Sequence, residues 1–211
     1  MEKAPRAGFP LIVIENYEGS PSRWLIAEYV ESHRVATSKG LRVVVAGVSN
    51  PLLASTLEHH GVPHLKEQGS ILCPTSCTIV TDLRAAKPLR PHEAANSCCI
   101  VVGGILGDHP PRGRGQWLRL TYPDAAYRNL GDKQFSIDGA VKVILEILEG
   151  KELEDIKVLY PVTIKANSFP STPEIILPYA YPLRGNKPWI PSELRDLLER
   201  GLMWENIQPP D

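Results

Sequence analysis

Apolar runs without alternation recur along the first 160 residues, each cut off by glycine or polar turn residues. Residues 11–15 (LIVIE), 41–46 (LRVVVA), 78–81 (TIVT) and 98–102 (CCIVV) are four such runs. Short continuous apolar runs bounded by turn residues predict strands covered on both faces, as in a parallel sheet. Residues 125–130 (AAYRNL) predict a fifth strand and residues 156–160 a further one. Between the runs the period changes to that of a helix. Trp24, Leu25, Tyr29 and Val35 can share one stripe, with Ser20 as candidate N-cap, Pro21 at the first helical position and Gly40 as the stop. Residues 51–60 predict a short helix stopped by Gly61, residues 91–95 a helical turn, and residues 116–121 a short helix broken by Pro123. The most regular stripe is Ile137, Ala140, Val141, Ile144, Leu145 and Leu148, capped by Ser136 and stopped by Gly150. Strands alternating with helices predict an α/β fold, a mostly parallel sheet with helices on both faces.

After Pro161 the pattern changes. Pro161, Pro170, Pro173, Pro178, Pro182, Pro188 and Pro191 interrupt the chain too often for regular elements. The exception is an amphipathic helix over residues 192–200, with Ser192 as its N-cap. Residues 1–160 read as one domain and residues 161–211 as a Pro-rich extension wrapping its core.

Composition narrows the partners. The chain has 211 residues, enough for one ample core. Its 20 prolines are about double the average usage. A formal net charge of -1 argues against a protein held on nucleic acid mainly by phosphate contacts. No apolar run approaches membrane-spanning length, and Met1 leads into no signal-peptide core, so a cytoplasmic protein away from membranes is expected. Cys73 and Cys77 lack the spacing of a zinc knuckle, and Cys98 and Cys99 point to opposite faces of one strand. All four are expected to be reduced packing residues, with no metal bound.

The chemistry gathers in two loops. Gly103, Gly104, Ile105, Leu106 and Gly107 follow the fourth strand and lead to Asp108, His109, two prolines, Arg112 and Arg114. Leu130, Gly131, Asp132, Lys133 and Gln134 follow the fifth strand, directly before the helix that starts at Ser136. In open α/β sheets, ligands lie beyond the carboxyl ends of the strands. If the two strands are neighbours, the loops meet at one edge. Backbone without side-chain cover can read an adenine edge or a ribose hydroxyl, and Ile105, Leu106 and Leu130 supply apolar walls for a flat ring. The sequence has no GxxxxGK[ST], and GGILGD lacks the GxGxxG order, so no pyrophosphate cradle is expected. A nucleoside without phosphates fits better, and S-adenosylmethionine is such a compound.

GGILGDHPPRGRG at residues 103–115, with LGDKQFSIDGAV at residues 130–141, resembles the SPOUT methyltransferase superfamily. More narrowly, it is similar to the branch that includes the fungal arginine methyltransferase acting on a small-subunit ribosomal protein. VIENYEGSPSRWLIAEY at residues 13–29 and TDLRAAKPLRPHEA at residues 81–94 share the likeness, which covers most of residues 11–160. The resemblance implies a SPOUT fold with a carboxyl-terminal trefoil knot over about residues 98–150, an exception to the rule that chains avoid knots. It implies S-adenosylmethionine bent among Gly103 to Gly107, Pro123, and Leu130 to Gln134. It also implies a protein-arginine N-methyltransferase with a ribosomal protein as substrate. The superfamily usually dimerises over the knot, whereas this branch is monomeric. A proline-rich tail covering that surface favours a monomer here.

An arginine acceptor is always protonated, so its nitrogen lone pair is not free. A carboxylate can hold the guanidinium through two hydrogen bonds. Asp108 is the first candidate, with Glu15 and Asp132 in reserve, and His109 could take the proton or orient Asp108. Arg84, Arg112 and Arg114 are candidate substrate contacts, and Arg119 a further basic group. Plainer roles stand beside these. Asp108 can cap the turn before Pro110, Asp132 can cap the helix start, and Lys133 can be solvated. Two other functions also stay open: an RNA methyltransferase acting on ribosomal or transfer RNA, and a ribosome-associated binding module without turnover.

Overall fold

The structure is a computed structural model and describes residues 8–106, 115–166 and 174–200. Its centre is a five-stranded parallel sheet. The strands are β1 (Leu11–Asn16), β2 (Arg42–Ala46), β3 (Thr78–Thr81), β4 (Cys99–Gly104) and β5 (Ala126–Arg128), in the order β2-β1-β4-β3-β5. The register sets Val13 beside Val44 on one side and Val101 on the other, and Val80 beside both Val101 and Tyr127. The apolar runs are divided residue by residue between the two faces. Ile12, Ile14, Val43, Val45, Ile79, Ile100 and Val102 face one cluster, and Val13, Val44, Val80, Cys99 and Val101 face the other.

The first face carries most of the helices. These are α1 (Arg23–Ser38), α2 (Pro51–His59), α3 (Pro91–Asn96) and α5 (Ile137–Leu148). The second face is covered by the six-residue α4 (Gln116–Thr121) and by residues 69–77, which contain two 3-10 turns. The expected sandwich is therefore real but lopsided. The N-cap of α1 is Ser22, not Ser20: the Leu25 N–H donates to Ser22 Oγ at 3.1 Å. Ser136 caps α5 as expected, taking the Gly139 N–H at 3.1 Å.

The carboxyl-terminal region is more regular than its prolines predict. β6 (Val158–Leu159), β9 (Tyr181–Arg184) and β10 (Lys187–Pro188) form a small sheet in the order β10-β9-β6. β7 (Val162–Lys165) and β8 (Glu174–Leu177) form an antiparallel pair, and α6 (Ser192–Glu199) follows. Pro182 and Pro188 lie within these short strands, where few ladder bonds are needed. Ser192 is the first residue of α6, and Pro191 occupies the cap position without a side-chain bond. Val162, Ile164, Leu177, Tyr181, Leu194 and Leu198 pack on Ala27 of α1.

That packing covers α1 on both sides, so its polar residues Glu28, Glu31 and Ser32 are buried. They meet Asp138 and Lys142 of α5, which are wholly buried. Lys142 Nζ lies 2.6 Å from Asp138 and 3.1 Å from Glu31, and it donates to the Trp189 carbonyl at 2.8 Å. Arg34 pairs with Glu31 at 2.6 Å. Two cations thus face three acids, and Glu28 is the acid left over. Its oxygens accept the Ile137 N–H and the Trp24 indole N–H. Burial, and then the charge of Asp138, push the Glu28 carboxyl up to about 8. Burial raises Asp138 as well. A carboxyl raised on folding binds its proton more tightly in the folded chain, so stability from Glu28 is lost as pH rises from 4.5 through about 8. Thermal unfolding is expected to give a lower midpoint at pH 8 than near pH 5, and Glu28→Gln to flatten that slope. A midpoint that climbs over the same range would contradict this account.

The cysteines are not reduced. Cys73 is joined to Cys99, and Cys77 to Cys98. Thr78 pairs with Cys99 in the sheet, so Cys77 and Cys98 stand side by side where β3 and β4 begin. Cys99 points to the second face and meets Cys73 there. The opposite orientations of Cys98 and Cys99 are what give each a separate partner.

Candidate active site

All five parallel strands end at one edge, where the two glycine-bearing loops begin. β3 stands between β4 and β5, so the strands are not neighbours. Leu106 and Leu130 both pack into the apolar cluster on the first face. The loop after β5 also pairs with the connection between β3 and β4. The Asn129 N–H donates to the Lys87 carbonyl at 2.8 Å, the Leu89 N–H to the Asn129 carbonyl at 2.9 Å, and the Asn129 side chain to the Ala85 carbonyl at 2.8 Å.

A cleft of about 490 Å³ opens beside this junction. Leu83, Leu130, Phe135, Ile156 and Val158 give it apolar walls, and Asn129, Asp132 and Glu154 give it polar groups. Its volume is within the usual range for a small-molecule site. The lining suits a flat ring with hydroxyl groups, and among the described residues it offers no cluster of cations for phosphates. Leu130, Gly131, Asp132 and Lys133 line the cleft; Gly103, Gly104, Ile105 and Leu106 are not on its described lining. Gly131 adopts φ +106, a conformation that favours glycine, and its N–H donates to Asn129 Oδ1 at 3.1 Å. Asn129, Leu83 and Pro88 were missed by sequence reasoning. The only signal that could have found them was their position next to the LGDK and TDLR motifs.

On the other face of the sheet Glu15 is wholly buried at the carboxyl end of β1. Its Oε2 accepts the Tyr122 hydroxyl at 2.6 Å and the Gly69 N–H at 3.0 Å, while Oε1 has no hydrogen-bond partner among the described residues. Burial raises its carboxyl, against the lowering effect of both bonds. Burial also raises the Tyr122 phenol, which therefore stays protonated and donates. Tyr17, bonded to Thr121 at 2.7 Å and tilted against Trp117, lines the same corner.

The remaining predicted residues are spread out. Gly104 does not leave its backbone bare for a ligand. A Cβ there would lie 2.7 Å from the Tyr29 hydroxyl and 2.8 Å from the Glu15 carbonyl oxygen. Pro123 is exposed and precedes β5, so it stands on the amino side of the strand whose carboxyl end carries Leu130 to Gln134. Asp132 pairs with Lys133 at 2.8 Å on the surface, Lys133 lies 5.5 Å from the Tyr160 ring, and the cap of α5 is Ser136 rather than Asp132. The Gln134 carbonyl accepts the Ala180 N–H at 2.8 Å. Arg84 is exposed on a turn held by Asp82. Arg119 is committed to Asp82 at 2.5 Å and lies over the Tyr127 ring. Gly107, Asp108, His109, Arg112 and Arg114 lie outside the described residues.

Comparison with known proteins bears on the family and the fold. The family described as "Protein arginine N-methyltransferase SFM1-like" matches residues 11–204, well into the proline-rich region. Protein arginine N-methyltransferase SFM1 of Saccharomyces cerevisiae is 29% identical over 208 residues, covering 89% of this chain and 93% of that protein. The crystal structure of yeast SFM1 complexed with SAM has a TM-score of 0.79 at 26% identity, covering 94% of this chain and 93% of that one. The complex with SAH has a TM-score of 0.76 at 27% identity, covering 90% and 94%. Dual-specific Trm10 from Thermococcus kodakaraensis, 16% identical with a TM-score of 0.53 over 69% of this chain and 96% of that one, shares the fold. The parallel sheet, its helical layers and the near-complete family match together establish that the chain belongs to the SFM1-like protein arginine N-methyltransferase family.

Proposed function

We propose that this chain methylates an arginine side chain of a small-subunit ribosomal protein, using S-adenosylmethionine, as a monomer in the cytoplasm. The observation that carries the reading is the cleft at Leu130–Lys133: nucleoside-sized, apolar-walled and, among the described residues, without a phosphate cradle. The family match and the SAM-bound relative support the same choice.

When bound, S-adenosylmethionine supplies a methyl group already activated by its sulfonium charge. The chain's own task is to align the acceptor and exclude water. Leu83, Leu130, Phe135 and Ile156 would hold the flat ring, and Asn129 and Asp132 would hold the ribose. Gly103, Ile105, Leu106, Gly107 and Gln134 are assigned to the cofactor by likeness to the family; Gly104, packed against Tyr29 and β1, and Pro123, at the amino end of β5, are not. The carboxylate of Asp108 is assigned to the guanidinium; Glu15, wholly buried on the other face of the sheet from the cleft, is not. A carboxylate there draws electron density to the attacking nitrogen. That nitrogen must give up one proton as its bond to carbon forms, and Asp108 with His109 is assigned to receive it. Arg84, Arg112 and Arg114 contact the protein substrate. The trefoil knot belongs to the same proposal. Its support is α5, enclosed by α1, α3, β4 and β9, beyond a segment bonded to residues 85–89.

Labelled methyl transfer to intact ribosomes, followed by separate protease and nuclease digestion, tests the reading. The label is expected to vanish with protease and survive nuclease; the reverse would make the acceptor RNA. Asp108→Asn is expected to keep cofactor affinity and slow turnover about tenfold. Unchanged turnover would assign Asp108 to capping its turn.

A further inference from the structure

The carboxyl ends of β1 and β4 are tied together by more than strand pairing. Asn16, 6% exposed, is the hub. Its Oδ1 accepts the Tyr29 hydroxyl at 2.8 Å and the Glu18 N–H at 3.3 Å. Its Nδ2 donates to the carbonyls of Gly47 at 3.2 Å and Glu18 at 3.3 Å. The Gly104 carbonyl receives the Tyr17 N–H at 3.4 Å and the Tyr29 hydroxyl at 3.3 Å. Two residues further on, the Leu106 N–H donates to Glu18 Oε1 at 2.9 Å.

The order of these bonds matters. Asn16 grips Glu18 by both its backbone N–H and its backbone carbonyl, an Asx-type turn that fixes where the carboxylate starts. The carboxylate then crosses from the β1 loop to the β4 loop and takes a main-chain donor there. A charged acceptor makes that bond stronger than a neutral one. Tyr29, wholly buried, holds the other end of the stretch at Gly104. Gly104 and Leu106 are thus fixed from one side by three residues of the ENYE segment and α1. Ile105 lies between the two anchors, and the glycine pair of the cofactor motif immediately precedes it.

We propose that Glu18, braced by Asn16 and Tyr29, is a positioning residue that holds residues 103–106 in the conformation that receives the cofactor. This rests on the S-adenosylmethionine reading given above. Glu18 acts here as a hydrogen-bond acceptor, so glutamine can replace it and alanine cannot.

The test uses the full chain, with S-adenosylmethionine binding by calorimetry and amide hydrogen exchange of the segment containing residues 104–106. Glu18→Ala is expected to raise the S-adenosylmethionine Kd about tenfold and to speed exchange at Leu106. Glu18→Gln is expected to restore both to within about twofold of the parent. Thermal midpoints should stay together, since Glu18 is only half-buried at a loop. If Glu18→Gln is as impaired as Glu18→Ala, the carboxylate acts through its charge and the proposal is wrong. If Glu18→Ala leaves exchange at Leu106 unchanged, the brace does not exist. Failure of the parent chain to bind S-adenosylmethionine would instead defeat the cofactor assignment, and the exchange data would still decide the brace.

Discussion

Replacing Lys142 with alanine is expected to destabilise the chain by about 3–5 kcal/mol, the cost of stranding buried charge by deleting its partner. Lys142 has no exposed surface and contacts Asp138, Glu31 and the Trp189 carbonyl, with the Trp189 ring 4.8 Å away. Without it, Asp138 keeps only the Ser136 hydroxyl among the described residues, and the Trp189 carbonyl loses its side-chain donor. In a chain of this size the midpoint should fall by about 6–20 °C. The carboxyl-terminal region should loosen first, because Lys142 is one of the bonds that hold Trp189 to α5. Adding Asp138→Asn to Lys142→Ala should recover part of the loss, since no unpaired carboxylate then remains at that position. A loss below about 1 kcal/mol for Lys142→Ala would show that water or repacking already screens the site.

Lys142 also shows where reading the sequence stops. The stripe from Ile137 to Leu148 correctly located α5 and its packing on the sheet. The same rule sends Asp138 and Lys142 to solvent, because they lie off that stripe. They are buried because β9 and Trp189 cover the second side of the helix. The covering segment is the proline-rich stretch, in which periodicity detects nothing, since strands of two to four residues are too short to show a pattern. Asn50, whose side chain accepts the Leu52 and Leu53 N–H groups at the start of α2, was legible in principle but overlooked.

The site divides in the same way. LGDK sits on the cleft because a turn with positive φ directly before a capped helix is a local property. Strand order is not local. Nothing in residues 98–130 states that β3 lies between β4 and β5, so the contributions of Leu83 and Pro88 were invisible. The cysteine pairs depend on the same non-local fact. Cys77 meets Cys98 because β3 and β4 start at the same level, which is a matter of register rather than spacing. Glu15 was noticed for ending an apolar strand, but its phenol and amide partners come from residues 107 and 54 positions away.

Gly104→Ala is expected to cost about 3 kcal/mol, the upper part of the range for overpacking a core. The added methyl would lie 2.7 Å from the Tyr29 hydroxyl, 2.8 Å from the Glu15 carbonyl oxygen and 3.0 Å from Ile14 Cγ2. The first could swing aside only by giving up its bonds to Asn16 and Gly104. The second is main chain in β1, which is paired on both sides by β2 and β4 and has nowhere to move. The end of β4 must therefore shift outwards and carry Ile105 and Leu106 with it, so S-adenosylmethionine affinity should fall together with stability. Gly103→Ala is the control. Among the described residues its methyl would approach Leu118 Cδ1 at 3.3 Å and Ile105 Cδ1 at 3.9 Å, both flexible side-chain tips. That change should cost less than about 1 kcal/mol. Denaturant titration of both variants decides the matter. Similar losses at the two adjacent glycines would mean that backbone flexibility, rather than the close approach of β1 and Tyr29 to Gly104, is what glycine provides here.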